Sequence, residues 1–167
     1  MYKRQNPLLT TRGSKKPEPL RVVFTKSLDL PSKANLWDCS KAKTLVIYDS
    51  SSANESFLSR IPKCVEVEKV SSDNPELISK ILAKRGCNKV LWECGPRLAT
   101  AAIKSNCIQE IITFIAPKIL GGENSMNPLS DFEFREMHEA IKLSDSQFSL
   151  IGNDIRVKSS FKNKFLY

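Results

Sequence analysis

A single histidine, His138, is present in 167 residues, and that scarcity argues against two kinds of site. Both a histidine-rich metal centre and a Ser-His-Asp triad depend on imidazole placed among other functional groups. Long hydrophobic runs are lacking too. The longest, around Ile111 to Leu120, is broken by Thr113, Pro117 and Lys118. A membrane span needs roughly 20 apolar residues. The opening residues, Met1 to Asn6, lead into no apolar stretch of the secretory-signal kind. Glycine is sparse at six, while phenylalanine reaches eight and Ile, Leu and Val are plentiful. That balance excludes collagen-like repetition and general disorder. Cys39, Cys64, Cys87, Cys94 and Cys107 are odd in number and form no Cys-x-x-Cys pair. They read as buried or ordinary thiols of a reducing compartment. Neither a Gly-x-Gly-x-x-Gly fingerprint nor a Walker sequence occurs.

What is present suits one domain with a real core. Apolar residues make up 41% and charged residues 26%. A chain of this length buries about two thirds of its unfolded surface. The net charge is +8, which favours anionic partners: nucleic acid, acidic lipid or phosphorylated small molecules. Lysine and arginine are scattered along the chain, which argues against a dedicated nucleic-acid face.

Strand and helix signals alternate. Gly13 to Pro19 is a loop by composition. Arg21–Thr25 and the run 44–48 read as strands, the second apolar enough to be buried on both faces. Residues 54–60 suggest a short helix, and 64–68 alternate as a third strand. Asn74 is placed to cap a helix, Pro75 and Glu76 suit its first turn, and Leu77, Ile78, Ile81 and Leu82 share one face. Gly86 is its stop. Then come a strand at 89–93, a small-residue helix at 96–105 and a strand at 111–116. Extended runs at 141–150 and 155–161 flank Gly152-Asn153, a hairpin signal. The architecture predicted is an α/β sheet ending in an antiparallel hairpin.

One stretch looks like a site: Val90-Leu91-Trp92-Glu93-Cys94-Gly95-Pro96-Arg97-Leu98-Ala99-Thr100-Ala101. It reads strand, tight turn, helix. Open α/β sheets bind ligands at the carboxyl ends of their strands, and a helix starting there aims free N–H groups at phosphate. Gly95 allows close approach to the backbone, and Pro96 costs the helix no hydrogen bond at its first position. Glu93 could meet ligand donors. The plainer alternative is a solvated strand end followed by an ordinary turn.

At these residues the chain resembles a known family. Glu93-Cys94-Gly95-Pro96-Arg97-Leu98-Ala99 is similar to the Glu-Gly-Gly-Pro-x-Leu motif of the reductase half of the bifunctional riboflavin-pathway deaminase–reductases. Asn6-Pro7-Leu8-Leu9-Thr10-Thr11-Arg12, Pro19-Leu20-Arg21-Val22-Val23, Ala116-Pro117-Lys118-Ile119-Leu120-Gly121-Gly122 and Leu150-Ile151-Gly152-Asn153-Asp154-Ile155 fall in family order. The resemblance covers essentially the whole chain, residues 1–167, as a single reductase domain.

It implies a dihydrofolate-reductase-like sheet flanked by helices, NADPH as cofactor, and a phosphorylated pyrimidine substrate, 5-amino-6-(5-phosphoribosylamino)uracil. The ribosyl group of that substrate is reduced to a ribityl chain. By motif position, Leu9, Arg12 and Glu93 would bind substrate. Lys26 and the run Gly95, Pro96, Arg97, Leu98, Ala99, Thr100 and Ala101 would bind NADPH. No metal and no protonating residue is implied. Arg12 could fork onto the substrate phosphate, and Lys26 could meet the phosphate that distinguishes NADPH.

The departures are informative. Cys94 stands for a usual Gly or Ala, Arg97 for a neutral residue, and Gln5 for an aspartate of the family motif. The family's opening strands have no counterpart before Asn6, and the zinc deaminase signature is absent. The chain is therefore expected to be a fragment lacking its first strands, and a poor enzyme by itself. Rival readings are a reductase-like binding or regulatory module without catalysis and, less favoured, a basic RNA-binding protein. The expected setting is cytoplasmic, or the plastid stroma in a photosynthetic eukaryote, with no nucleic acid or membrane partner and homo-oligomerisation left open.

Overall fold

The structure, a computed structural model, describes residues 6–14, 16–119, 121, 127–130 and 132–161. Gln5, Leu120 and Gly122, named above among the family motifs, lie outside the described residues. The chain divides into two compact units, 1–78 and 79–167.

Unit 1 holds a parallel sheet of β1 (Arg21–Thr25), β2 (Thr44–Asp49) and β3 (Glu66–Val70), in the order β1-β2-β3. The central strand is buried at all six positions. An apolar, β-branched run with neighbours on both edges suits that place. Val46 and Tyr48 lie on one face of β2 and, with Leu28, Ile61 and Val65, form a core cluster. Leu45 and Ile47 alternate onto the other face and are fully buried as well. Each such side chain contributes about 1.5–3 kcal/mol. The short helix expected at 54–60 is a 3-10 turn, Glu55–Arg60, whose Asn54 side chain accepts from the Ser56 N–H. A second 3-10 turn spans Asn35–Trp37.

Two cysteines depart from expectation. Cys39 and Cys64 are joined by a disulfide, their Cα atoms 6.3 Å apart. The fold brings residues 25 apart in sequence into the range a disulfide spans, roughly 4.4–6.8 Å between Cα atoms. No spacing motif announces such a pair. Cys87, Cys94 and Cys107 are free.

Helix α1 (Pro75–Lys84) straddles the boundary between the units. Its start is as read from the sequence: the Asn74 carbonyl oxygen of the side chain accepts from the Glu76 N–H at 2.9 Å. Pro75, Ile78 and Leu82 form its buried stripe. Gly86 ends it with φ +82°, and Cys87 N–H donates back to the Leu82 carbonyl at 3.0 Å.

Unit 2 contains α2 (Pro96–Lys104) and an antiparallel sheet of β4 (Glu110–Ile115), β5 (Leu143–Ile151) and β6 (Asp154–Phe161), in the order β4-β6-β5. The hairpin turn is Gly152-Asn153, with Ile151 opposite Asp154. Only Gly152 takes a left-handed φ, +61°, which is the II′ pattern with glycine first. Helix α2 ends through Asn106 at φ +54°, an asparagine doing what Gly86 does for α1.

The strand expected at 89–93 is not formed. Residues 88–95 are irregular, and Leu91 is 83% exposed. The run is apolar enough for a strand, but neither three-stranded sheet includes it. Without a ladder to join, its backbone groups gain nothing from extended pairing.

Candidate functional site

In unit 1 the segment 6–14 crosses the surface with unusual backbone. Asn6, Leu9 and Arg12 have φ of +40°, +49° and +52°. A left-handed conformation costs a leucine or arginine roughly 1–2 kcal/mol, and such strain persists only where surroundings over-determine it. Here the restraints are visible. Asn35 N–H donates to Asn6 Oδ1, and Asn35 Nδ2 to the Asn6 carbonyl, both at 2.7 Å. Thr11 donates its N–H and hydroxyl to Glu18 at 2.7 and 2.9 Å. These bonds hold the Glu18 carboxyl below the usual carboxylate range.

Arg21 adds the interior anchor. Only 2% exposed, it donates from Nη2 to the carbonyls of Asp38 and Ala42 at 2.9 and 2.7 Å. Its Nη1 reaches the carbonyls of Leu8 and Asn35 at 3.4 and 3.3 Å. Burial pulls the guanidinium pKa down and nearby Asp38 pushes it back up. Arg21 lies in the Pro-Leu-Arg-Val-Val motif, yet sequence reasoning gave it no role. One charged residue in an otherwise apolar strand was the available signal. The outcome for the segment is that Leu9 is half-buried and Arg12 exposed.

A cleft of about 220 Å³ opens beside the carboxyl end of β1, lined by Ser27, Leu28, Asp29, Asn54, Ser56, Phe57 and Arg60. Leu28 is buried and left-handed at φ +57°, and its N–H donates to Thr25 Oγ1 at 3.1 Å. Arg60 lies over the Phe57 ring, 5.9 Å from its centre. Lys26 follows β1 directly, and its ammonium pairs with Asp73 at 3.1 Å on the surface. The cleft residues were not singled out in the sequence; only the end of a parallel strand pointed there.

In unit 2 Gly95 is the N-cap of α2, and Pro96 opens the helix. Gly95 is extended, with φ −75° and ψ 169°, and no side chain caps the helix. A Cβ added to Gly95 would meet nothing within 4 Å. The helix start thus has no side-chain cap and an uncrowded Gly95, and an uncapped helix N-terminus is a place where anions bind. Glu93 and Arg97 are exposed on either side of that turn, while Leu98, Ala99 and Ala101 are half-buried along the helix. Thr100 is 5% exposed, and its hydroxyl accepts from Ser130 N–H at 2.8 Å and donates to the Ser130 carbonyl at 3.3 Å. Its side chain is thus engaged in fixing the 127–130 segment. Burial pushes the Cys94 thiol pKa up, keeping it a thiol and a poor nucleophile.

His138 sits on the surface, its Nδ1 3.0 Å from a Glu136 carboxylate oxygen. Among the described residues no group of three or more His, Cys, Asp or Glu could hold a metal ion. None of their helices is long and apolar enough to cross a membrane.

The family described as RibD C-terminal domain matches residues 1–157. Among similar proteins, the riboflavin biosynthesis protein RibD of a Synechocystis strain is 42% identical over 154 residues, 91% of this chain and 41% of that protein. The chloroplastic riboflavin biosynthesis protein PYRR of Arabidopsis thaliana is 39% identical over 156 residues, 93% of this chain and 26% of that protein. The chain thus spans less than half the length of these curated relatives. Among solved structures, Acinetobacter baumannii RibD superposes with a TM-score of 0.76 at 18% identity, over 96% of this chain and 44% of that one. The Saccharomyces riboflavin biosynthesis reductase Rib7 gives 0.67 at 14% identity, over 96% and 71%. The fold is the α/β, dihydrofolate-reductase-like fold of these reductase domains.

Proposed function

The chain belongs to the RibD C-terminal domain family, and from that premise we propose that it is a reductase domain of riboflavin biosynthesis. It uses NADPH to reduce the ribosyl group of 5-amino-6-(5-phosphoribosylamino)uracil to a ribityl chain. The observation that carries this is the uncapped start of α2 at Gly95-Pro96, with open space where a Cβ would stand. An anionic ligand fits such a start, because the N–H groups and the positive end of the helix both point at it.

The nicotinamide cofactor supplies the hydride when bound. The residues that would hold it are Gly95 through Ala101, by backbone N–H groups at the helix start, with Arg97 beside its phosphates. Lys26 would meet the phosphate that separates NADPH from NADH, exchanging Asp73 for it. The cleft of Ser27, Asn54, Ser56 and Arg60 supplies polar and cationic groups of the same kind. For substrate, Arg12 offers a planar fork for phosphate on a backbone already fixed, so the ordering cost on binding is that of its side chain alone. Leu9 lends an apolar contact, and Glu93 accepts hydrogen bonds from substrate hydroxyl or amine groups.

A phosphorylated small molecule, not nucleic acid or membrane, is the partner this reading names, and a homo-oligomer fits it. It places the domain in the cytoplasm, or in the plastid stroma of a photosynthetic eukaryote, as the name of the Arabidopsis relative suggests. The test is Glu93→Gln in the full natural protein. Turnover of the pyrimidine should fall while NADPH affinity stays nearly constant. Normal turnover would return Glu93 to a solvated surface role, and equal affinities for NADPH and NADH would remove Lys26 and Arg97 from cofactor recognition.

A further inference from the structure

We propose that Cys39 and Cys64 form a reversible redox clasp, a dithiol that closes by exchange with a low-molecular-weight disulfide and braces the cleft wall of unit 1. The two ends differ in access. Cys64 is exposed in the connection before β3, whereas Cys39 is half-buried against the core cluster of Leu28, Val46, Tyr48, Ile61 and Val65. Cys64 therefore meets the reagent first and Cys39 resolves the intermediate.

The exchange balances. The Cys64 thiolate attacks one sulfur of the small disulfide and expels one small thiol, leaving a mixed disulfide on Cys64. The Cys39 thiolate then attacks the Cys64 sulfur and expels the second. Two protein thiols give up two electrons and two protons, and the small disulfide is reduced to two thiols. Excess dithiol reverses both steps.

The position of the bond gives it an effect. It closes a loop that contains β2 and the whole 3-10 turn Glu55–Arg60. Leu28 and Phe57 line the cleft and also belong to the packing around Cys39, while Ile61 and Val65 bracket Cys64 in the same cluster. Closing the clasp ties the chain just after the turn that carries Asn54, Ser56, Phe57 and Arg60 to the segment that precedes β2. Opening it leaves that turn held by side-chain packing, by the Asn54 N–H on the Ser27 carbonyl and by Tyr48 and Lys69 on the Glu55 carboxylate. Cys87, Cys94 and Cys107 lie in unit 2 and are free, so within unit 1 the pairing has no competitor.

No residue assigned to substrate or cofactor enters the clasp, so its test needs neither ligand. The native 167-residue chain is treated with oxidised glutathione or with dithiothreitol, alkylated in denaturant, and digested with trypsin. Oxidation should remove two of the five alkylatable thiols and link peptide 34–41 to peptide 64–69. The unfolding midpoint should rise by about 5–10 °C, and native trypsin cleavage after Arg60 should slow about 10-fold. Cys39→Ser should abolish all of these responses, and Cys64→Ser, at the exposed end, should do the same if the first variant does not fold. Five free thiols after oxidation, a link to Cys87, Cys94 or Cys107, or a redox-insensitive midpoint and cleavage rate would each overturn the clasp.

Discussion

Replacing Arg21 with methionine should cost the protein about 3 kcal/mol, although Arg21 carries no assigned role in binding. Methionine keeps most of the volume and all of the apolar stem, so the loss reports the guanidinium alone. That group makes two short bonds, to Ala42 and Asp38 at 2.7 and 2.9 Å, and two long ones, to Asn35 and Leu8 at 3.3 and 3.4 Å. A bond from a charged donor contributes about 1.5–3 kcal/mol, so the short pair contributes roughly 3–6 kcal/mol and the long pair much less. Against this stands the release of a charge from burial, worth several kcal/mol before compensation. Arg21 is only 2% exposed and its Nε has no hydrogen-bond partner among the described residues, which adds to that cost. The balance favours the native arginine because four carbonyls would otherwise be left without it. Small domains have only about 5–15 kcal/mol to lose. Urea unfolding at an unchanged m-value is the assay. Arg21→Lys should recover only part of the loss, because one ammonium cannot span carbonyls on both sides. A change below about 0.5 kcal/mol in Arg21→Met, within the range of surface substitutions, would refute the anchoring role.

Acid should release the 6–14 segment: the folded pKa of Glu18 is depressed by its bonds to Thr11, so its tether is fully present above the unfolded value and is lost as pH falls through the folded one. The Thr11 amide resonance should report this as pH falls below the ordinary glutamate range, and Glu18→Gln should remove the dependence. A flat titration in the native chain would count against the tether. Thr100→Val should cost about 1–2 kcal/mol in urea unfolding, because the Ser130 N–H loses its acceptor; an unchanged midpoint would show that water replaces the hydroxyl. Gly95→Ala should leave the unfolding midpoint unchanged, since φ is −75° and the new Cβ meets open space, yet weaken NADPH binding about 10-fold by standing where the phosphates approach. Unchanged NADPH affinity in that variant would move the cofactor away from the α2 start.

Much of the fold was legible because local rules and burial agree. The apolar run of β2 is buried at every position, Asn74 and Gly86 bound α1, and Gly152-Asn153 turns the hairpin. Each of these signals acts within a few residues. The failures come where the decisive partner is distant. Residues 89–93 have strand composition, but a strand exists only as part of a ladder, and composition does not show whether a ladder is there. Cys39 and Cys64 carry no spacing signal, because their approach is made by β2 and the turn between them.

The candidate site divides along the same line. Gly95 and Pro96 advertise a helix start through their own conformational chemistry, so the start of α2 can be read from the sequence. The backbone around Arg12 cannot. Leucine and arginine are poor residues for left-handed backbone, and nothing in their identity predicts φ of +49° and +52°. What makes the conformation affordable is a set of bonds from Asn35, Glu18 and Arg21, between 7 and 29 residues away. On the proposed reading of Arg12 as a substrate contact, the 6–14 segment is preorganised by residues that are assigned no ligand contact themselves. Substitutions at Arg21, Glu18 or Asn35 should therefore lower substrate affinity through the position of Arg12, while leaving the chemistry of its guanidinium intact.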